Sequence, residues 1–273
     1  MKLYNKLSSV LIIFSCLIIS GCFAPRYKAI NPNALYNPMN IVNFTNIPWP
    51  LQAWIPKVKK SSKLRIYIEG DGRAWIHRSI PSADPTPKSN LVHNLLAQDQ
   101  THDVAYLSQP CQFIMNASCN PDVWTFGRYS ATALQSMNTV IDKIKKMNDY
   151  SEIELVGYSG GAAMALLLAA HRNDVTLIRT VAGNLVPSFT NEFHNVTPMP
   201  EAINPLDFAN KLSTIEQIHF VGNNDNIIPI NIANYYRANM PKHNKISIVP
   251  VAASHAKGWV EHWQELLAYQ PVR

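Results

Sequence analysis

Short apolar runs recur along this chain between loops rich in Gly, Asn and Pro. Leu64 to Ile68, Asp103 to Leu107, Glu152 to Val156, Thr176 to Ala182, Ile215 to Val221 and Ile246 to Val251 have the length and composition of buried strands. Between them the period changes. Leu134, Met137, Val140, Ile141 and Ile144 mark one face of a helix over 131–147, and helices are also expected over Gly161 to His171, Ile230 to Ala238 and Gly258 to Ala268. Strands alternating with helices at this spacing predict an α/β fold, a mainly parallel central sheet with helices on both faces. The segment Asn184 to Pro205, with its prolines, falls between two strands where a small lid is expected.

The first residues follow a different pattern. Lys2 and Lys6 precede an apolar run, Val10 to Ile19, that is too short to span a bilayer comfortably. It ends in Ile19-Ser20-Gly21-Cys22, which resembles the lipobox of bacterial lipoproteins. The resemblance implies a cleaved signal over residues 1–21 and a diacylglycerol on the Cys22 thiol, a membrane anchor without a transmembrane helix. Phe23 after the cysteine, in place of Asp, points by analogy to the periplasmic side of an outer membrane. Residues 22–62, rich in Asn and Pro and carrying Trp49 and Trp54, read as an extended tether, and 63–273 as a single α/β domain.

Composition narrows the function classes. Hydrophobic residues make up 47% of the chain, which supports one domain with a substantial core. The formal charge of +6 falls to +4 once Lys2 and Lys6 leave with the signal. The remaining basic residues are scattered, apart from a cluster over Lys57 to Lys63 that reads as solvated linker, so no nucleic-acid partner is expected. Of the four cysteines, Cys16 leaves with the signal and Cys22 carries the lipid. Cys111 and Cys119 remain in a polar loop, where export favours a disulfide pinning 109–124, with two free thiols as the other reading. No His or Cys pair stands nearby at ligand spacing, so no metal is expected there.

The chemistry centres on Gly157-Tyr158-Ser159-Gly160-Gly161, which follows an apolar strand and opens a Leu-rich helix. A serine on so tight a strand-to-helix turn has its hydroxyl pushed out at the top of a sheet. A serine hydroxyl becomes a nucleophile when a base takes its proton, and an imidazole needs a carboxylate to fix its tautomer. His255 lies just past the last strand, and Asp225 directly after Ile215 to Val221. Asp207 is the second candidate acid and looks more like a helix-start residue. His77 and His93 precede the serine, and His262 lies inside the last helix. Backbone N–H groups for an oxyanion are expected from Gly160 and from the loop after the first long strand, Ile68-Glu69-Gly70-Asp71-Gly72, with Asp71 the first choice and Gly72 the alternative.

Tyr67-Ile68-Glu69-Gly70-Asp71-Gly72, the elbow, the Asp225 loop and the His255 loop together resemble the α/β-hydrolase superfamily. With Asp84-Pro85-Thr86-Pro87 and Pro110-Cys111-Gln112 they are similar to a group of bacterial exported α/β-hydrolases of undefined substrate. The resemblance implies a Ser159–His255–Asp225 triad, an acyl-enzyme and no cofactor. Glu69-Gly70 stands where the family usually has His-Gly. The expectation is a membrane-anchored serine hydrolase acting on a small ester, a thioester or an amide. The rival is a lipoprotein that keeps the fold as a binding module without catalysis.

Overall fold

A computed structural model of the chain describes residues 30–270. The signal expected over residues 1–21 and the lipid site expected at Cys22 lie outside the described residues. The chain runs through strands β1 (Met39–Phe44), β2 (Leu51–Pro56) and β3 (Lys63–Ile68), then a small hairpin of β4 (Trp75–His77) and β5 (Ile80–Pro81). Helix α1 (Leu91–Gln98), β6 (Asp103–Leu107), α2 (Pro121–Trp124) and α3 (Ala131–Asn148) follow. Next come β7 (Glu152–Tyr158), α4 (Gly160–Ala170), β8 (Val175–Val181), α5 (Pro187–Phe193) and α6 (Ala209–Leu212). The chain closes with β9 (Glu216–Gly222), α7 (Ile230–Ala238), β10 (Ile246–Val251) and α8 (Trp259–Ala268).

One eight-stranded sheet takes the order β1-β2-β6-β3-β7-β8-β9-β10. The six strands from β6 to β10 in that order are parallel, while β2 is antiparallel to both β1 and β6. Side chains alternate across it. Leu64, Ile66, Ile68, Ile153, Leu155 and Ile178 face a core shared with α3 and α4. Tyr67, Val104, Tyr106, Val156, Ile218 and Phe220 face a second core filled by α1 and α8. Strands buried on both faces read as unbroken apolar runs, which is why most of them are legible in the sequence. Helix α4 is buried all round from Gly160 to Ala169, the mark of a helix inside the protein and not on its surface.

The tether expected over 22–62 is corrected by the structure from Met39 onward. β1 and β2 extend the sheet, with Ala53 paired to Leu107 and Trp54 to Tyr106. Leu51, Ala53 and Ile55 enter one core and Met39 and Trp54 the other. The prolines that suggested an extended linker stand where a strand needs no donor: Pro38 precedes β1, Pro48 and Pro50 form the turn, and Pro56 ends β2. Helix α1 and the β4–β5 hairpin were also absent from the sequence expectation. Among the described residues no helix is long and apolar enough to cross a membrane.

Because β2 covers one edge of β6, a chain beginning at Lys63 should lose cooperative thermal unfolding and aggregate, whereas one beginning at Ile30 should keep it. Equal melting of the two would restore the tether.

Candidate active site

Four loops at the carboxyl ends of parallel strands meet above the sheet, the position at which such sheets place ligands. β7 ends in the elbow. Ser159 has φ 49° and ψ −119°, a conformation side chains other than glycine rarely adopt, so its backbone is strained. Its N–H donates to Val181 O at 3.0 Å, and its carbonyl accepts from Ala162 N and Asn184 N at 3.1 and 2.9 Å. The turn has no room for side chains around it. A Cβ on Gly157 would stand 2.5 Å from Gly161 O, and one on Gly161 2.5 Å from Glu69 O.

β9 leads into Asp225, whose side chain is fully buried. Its Oδ1 accepts the N–H groups of Ile227 and Ile228 at 2.9 and 2.8 Å. Oδ2 is therefore left for His255, whose Nδ1 lies 2.9 Å away. His255, in the loop after β10, has its Nε2 3.1 Å from Ser159 Oγ. A carboxylate at Nδ1 places the imidazole proton there and leaves Nε2 as the acceptor for the hydroxyl. The structure thus brings Ser159, His255 and Asp225 into one hydrogen-bonded line. Asp207, the second candidate acid, is exposed in the 3-10 turn Pro205–Phe208. His93 is buried between the rings of Trp54 and Tyr106, each 4.1 Å away, and His262 sits on α8 beside Glu265.

The backbone of His255 is held by residues the sequence reading passed over. The hydroxyl of Tyr158 and the indole N–H of Trp259 both donate to its carbonyl, at 3.2 and 3.1 Å. Tyr158 is the variable residue of the elbow motif itself, so the motif carried that signal.

The loop after β3 passes directly over the elbow. A Cβ on Gly160 would meet the Asp71 carboxylate at 2.0 Å, which places that carboxylate against the start of α4. Arg128 Nη1 and the Tyr129 hydroxyl bind it, at 2.5 and 3.1 Å. The N–H groups of Asp71 and Gly160 donate to no protein acceptor among the described residues. Gly72 adopts φ 62° and packs tightly on Pro85 O and Gln112 Nε2.

The same loop is braced by the segment carrying the two cysteines, which are joined by a disulfide as expected. Gln109 Nε2 donates to Glu69 O at 2.9 Å, and Gln112 Nε2 to Gly70 O at 3.0 Å. The two glutamines flank Cys111, so the bridge fixes the residues that fix the loop. Glu69 is buried. Its carboxylate accepts from Gly70 N–H and from the Tyr106 hydroxyl, both at 3.0 Å. Burial nevertheless dominates and pushes its carboxyl from 4.5 up to about 7.

The site opens into a cavity of about 920 Å³ lined by Ser159, His255, Tyr158, Asp71 and Glu69 at the chemistry, with Trp75, Leu91, Phe126, Val196 and Met199 among its apolar walls. That volume suits a small organic ligand. The expected lid segment supplies Asn191 on α5, then Val196, Thr197 and Met199. No cluster of three or more metal-ligating side chains occurs among the described residues.

Gly161→Ala should lower stability by on the order of 2 kcal/mol, because backbone carbonyls block its Cβ; urea denaturation measures this, and a neutral effect would contradict the close approach. Glu69 gives a pH prediction. Between about pH 4.5 and pH 7 an unfolded chain has released this proton while the folded chain still holds it. Stability contributed by this group therefore falls across that window, by up to about 3 kcal/mol, and is level above it. Glu69→Gln should accordingly gain about 2 kcal/mol relative to the wild type between pH 5 and pH 8. A stability difference that stays constant with pH would refute the buried-acid assignment.

No family model and no curated protein matches the sequence. Solved structures match the fold. The esterase Pf2001 of Pyrococcus furiosus superposes with a TM-score of 0.64 at 13% identity, over 88% of this chain and 94% of its own. An α/β serine hydrolase homologue from Coxiella burnetii gives 0.52 at 15% identity, over 83% and 93%. An acylaminoacyl peptidase of Pyrococcus horikoshii gives 0.58 at 11%, over 86% of this chain and 42% of the peptidase. Together with the strand order and the elbow after β7, these likenesses establish that the chain has the α/β-hydrolase fold.

Proposed function

We propose that the protein is a serine hydrolase that cleaves a small ester or thioester through an acyl-enzyme. The observation that carries this reading is the line from Asp225 Oδ2 through His255 to Ser159 Oγ, with contacts of 2.9 and 3.1 Å, at the base of a cavity. His255 Nε2 takes the hydroxyl proton as Oγ attacks the carbonyl carbon, and Asp225 stabilises the resulting imidazolium. The N–H groups of Gly160 and Asp71 receive the developing oxyanion, and neither donates to an acceptor among the described residues. The Asp71 carboxylate would oppose that charge, and its pairing with Arg128 and Tyr129 offsets the repulsion. His255 then protonates the leaving group. A water deprotonated by the same imidazole attacks the acyl carbon and releases the acid.

An esterase and a peptidase both appear among the structures that share this fold. An ester is the favoured substrate here because an alkoxide leaves the tetrahedral intermediate more readily than an amine does, so the triad alone can serve it. For location we propose a lipid anchor on Cys22, supported by Ile19-Ser20-Gly21-Cys22, which would hold the domain at a bacterial membrane in the cell envelope.

A fluorophosphonate probe should label the wild type and fail to label Ser159→Ala. His255→Ala should lower kcat on a 4-nitrophenyl ester by about 10³-fold or more while the protein still melts cooperatively. Undiminished labelling of Ser159→Ala would sink the assignment. Release of a Cys22→Ala variant from membranes tests the anchor, and retention would contradict it.

A further inference from the structure

The cavity above Ser159 is lopsided in charge. Two carboxylates line it, and neither presents a free negative charge to a ligand. Asp71 is bound by Arg128 and Tyr129, and Glu69 is buried with its oxygens engaged by Gly70 N–H and the Tyr106 hydroxyl. Arg73, Arg78 and Lys88 line the same cavity. All three are exposed, and their side chains make no hydrogen bond or ion pair with any described residue. The buried or half-buried arginines differ: Arg65, Arg128, Arg172 and Arg179 all have their guanidinium groups bonded to carboxylate or carbonyl oxygens, while the exposed Arg237, away from the cavity, resembles the three.

The segment that carries these three cations is fixed in place. Arg73 N–H donates to Pro85 O at 2.9 Å and Ser82 N–H to Ala74 O at 3.0 Å. The Trp124 indole donates to Ser82 O at 3.0 Å, and Phe113 N–H to Thr86 Oγ1 at 2.8 Å. Trp75 rests edge-on against Phe126 with ring centroids 5.8 Å apart. The cations therefore stand on a wall fastened to the disulfide-closed segment. Apolar neighbours such as Trp75, Ile76 and Leu91 lower the local dielectric and focus a field of one sign.

We propose that this cavity selects esters that carry an anionic group, a carboxylate or a phosphate, held by Arg73, Arg78 and Lys88 while the ester carbonyl lies at Ser159. The proposal rests on the reading of Ser159 as the nucleophile for its catalytic part only. Guanidinium groups pair carboxylates and phosphates through two parallel N–H bonds, and Lys88 adds a point charge. The substrate class is thus a small anionic ester, such as a half-ester of a dicarboxylic acid or an ester that bears a phosphate.

Binding is measured first on Ser159→Ala, with monomethyl adipate, a phosphate-bearing ester of similar length, and neutral dimethyl adipate, followed by calorimetry. At least one anionic ester should bind tenfold or more tightly at low salt, and the preference should shrink in 0.5 M salt. The carboxylate and phosphate arms identify which anion fits. Combining Arg73→Gln, Arg78→Gln and Lys88→Gln should collapse the preference. As these side chains are exposed and make no hydrogen bond or ion pair with any described residue, the variant should retain its melting transition. The wild type is then compared on the 4-nitrophenyl half-ester of glutaric acid and on 4-nitrophenyl butyrate, where the ratio of kcat/KM should favour the anion and fall in the triple variant. Equal binding of charged and neutral esters, or a preference that survives the triple substitution, would overturn the proposal. So would binding to phosphatidylglycerol vesicles without discrimination among soluble esters, since that assigns the cations to a membrane surface. An anion preference in Ser159→Ala together with no hydrolysis by the wild type would leave this site standing and remove the catalytic reading.

Discussion

The turn at Ser159 passes so close to the loop after β3 that only glycine fits on its two inner sides, and the upper half of the molecule is arranged around that approach. Gly157 lets β7 reverse into α4 against Gly161 O and Ala162, and Gly161 lets the start of α4 sit against the carbonyls of Glu69 and Ile68. Once α4 starts there, its all-apolar surface must be buried, and the sheet with its surrounding helices closes over it. The hydroxyl is thereby aimed at the loops following β9 and β10, and the first N–H of the helix faces the Asp71 loop.

Rigid strand ends, with few bonds in each loop, set the positions of Ser159, His255 and Asp225. Asp225 has one oxygen held by two backbone N–H groups and the other turned to His255. His255 is tied at its carbonyl by Tyr158 and Trp259, which fixes the backbone from which its ring reaches Ser159. The β3 loop is steadied from outside by Gln109 and Gln112, and its acid, Asp71, by Arg128 and Tyr129. Most of these supports are side chain to backbone, which fixes loop geometry without requiring regular secondary structure.

How much of this was legible in the sequence follows from burial and periodicity. The parallel strands carry apolar residues on both faces, so β6, α7 and β10 fall where the hydrophobic pattern puts them. Ser159, Asp225 and His255 each sit just past a strand end, and their order along the chain made them readable together. β1 and β2 were hidden because β1 is an edge strand with mostly exposed or half-buried positions and prolines punctuate both ends of the pair. Gln109, Gln112 and Arg128 were not readable either, since their partners lie 40 or more residues away in the chain and no local pattern announces such a bond. The departure from His-Gly to Glu69-Gly70 was visible, but its meaning was not. Only the structure places that carboxylate under the Tyr106 hydroxyl, away from water.

The backbone at Ser159 also sets thermal robustness against chemistry at a single residue. A φ of 49° with ψ near −119° is tolerated by glycine and costs other residues about 1–3 kcal/mol. A glycine at this position would relieve that strain and give up the hydroxyl. Selection of random variants for heat resistance alone would therefore reward loss of the Ser159 hydroxyl, so position 159 is the one to hold constant while the rest of the chain is allowed to vary.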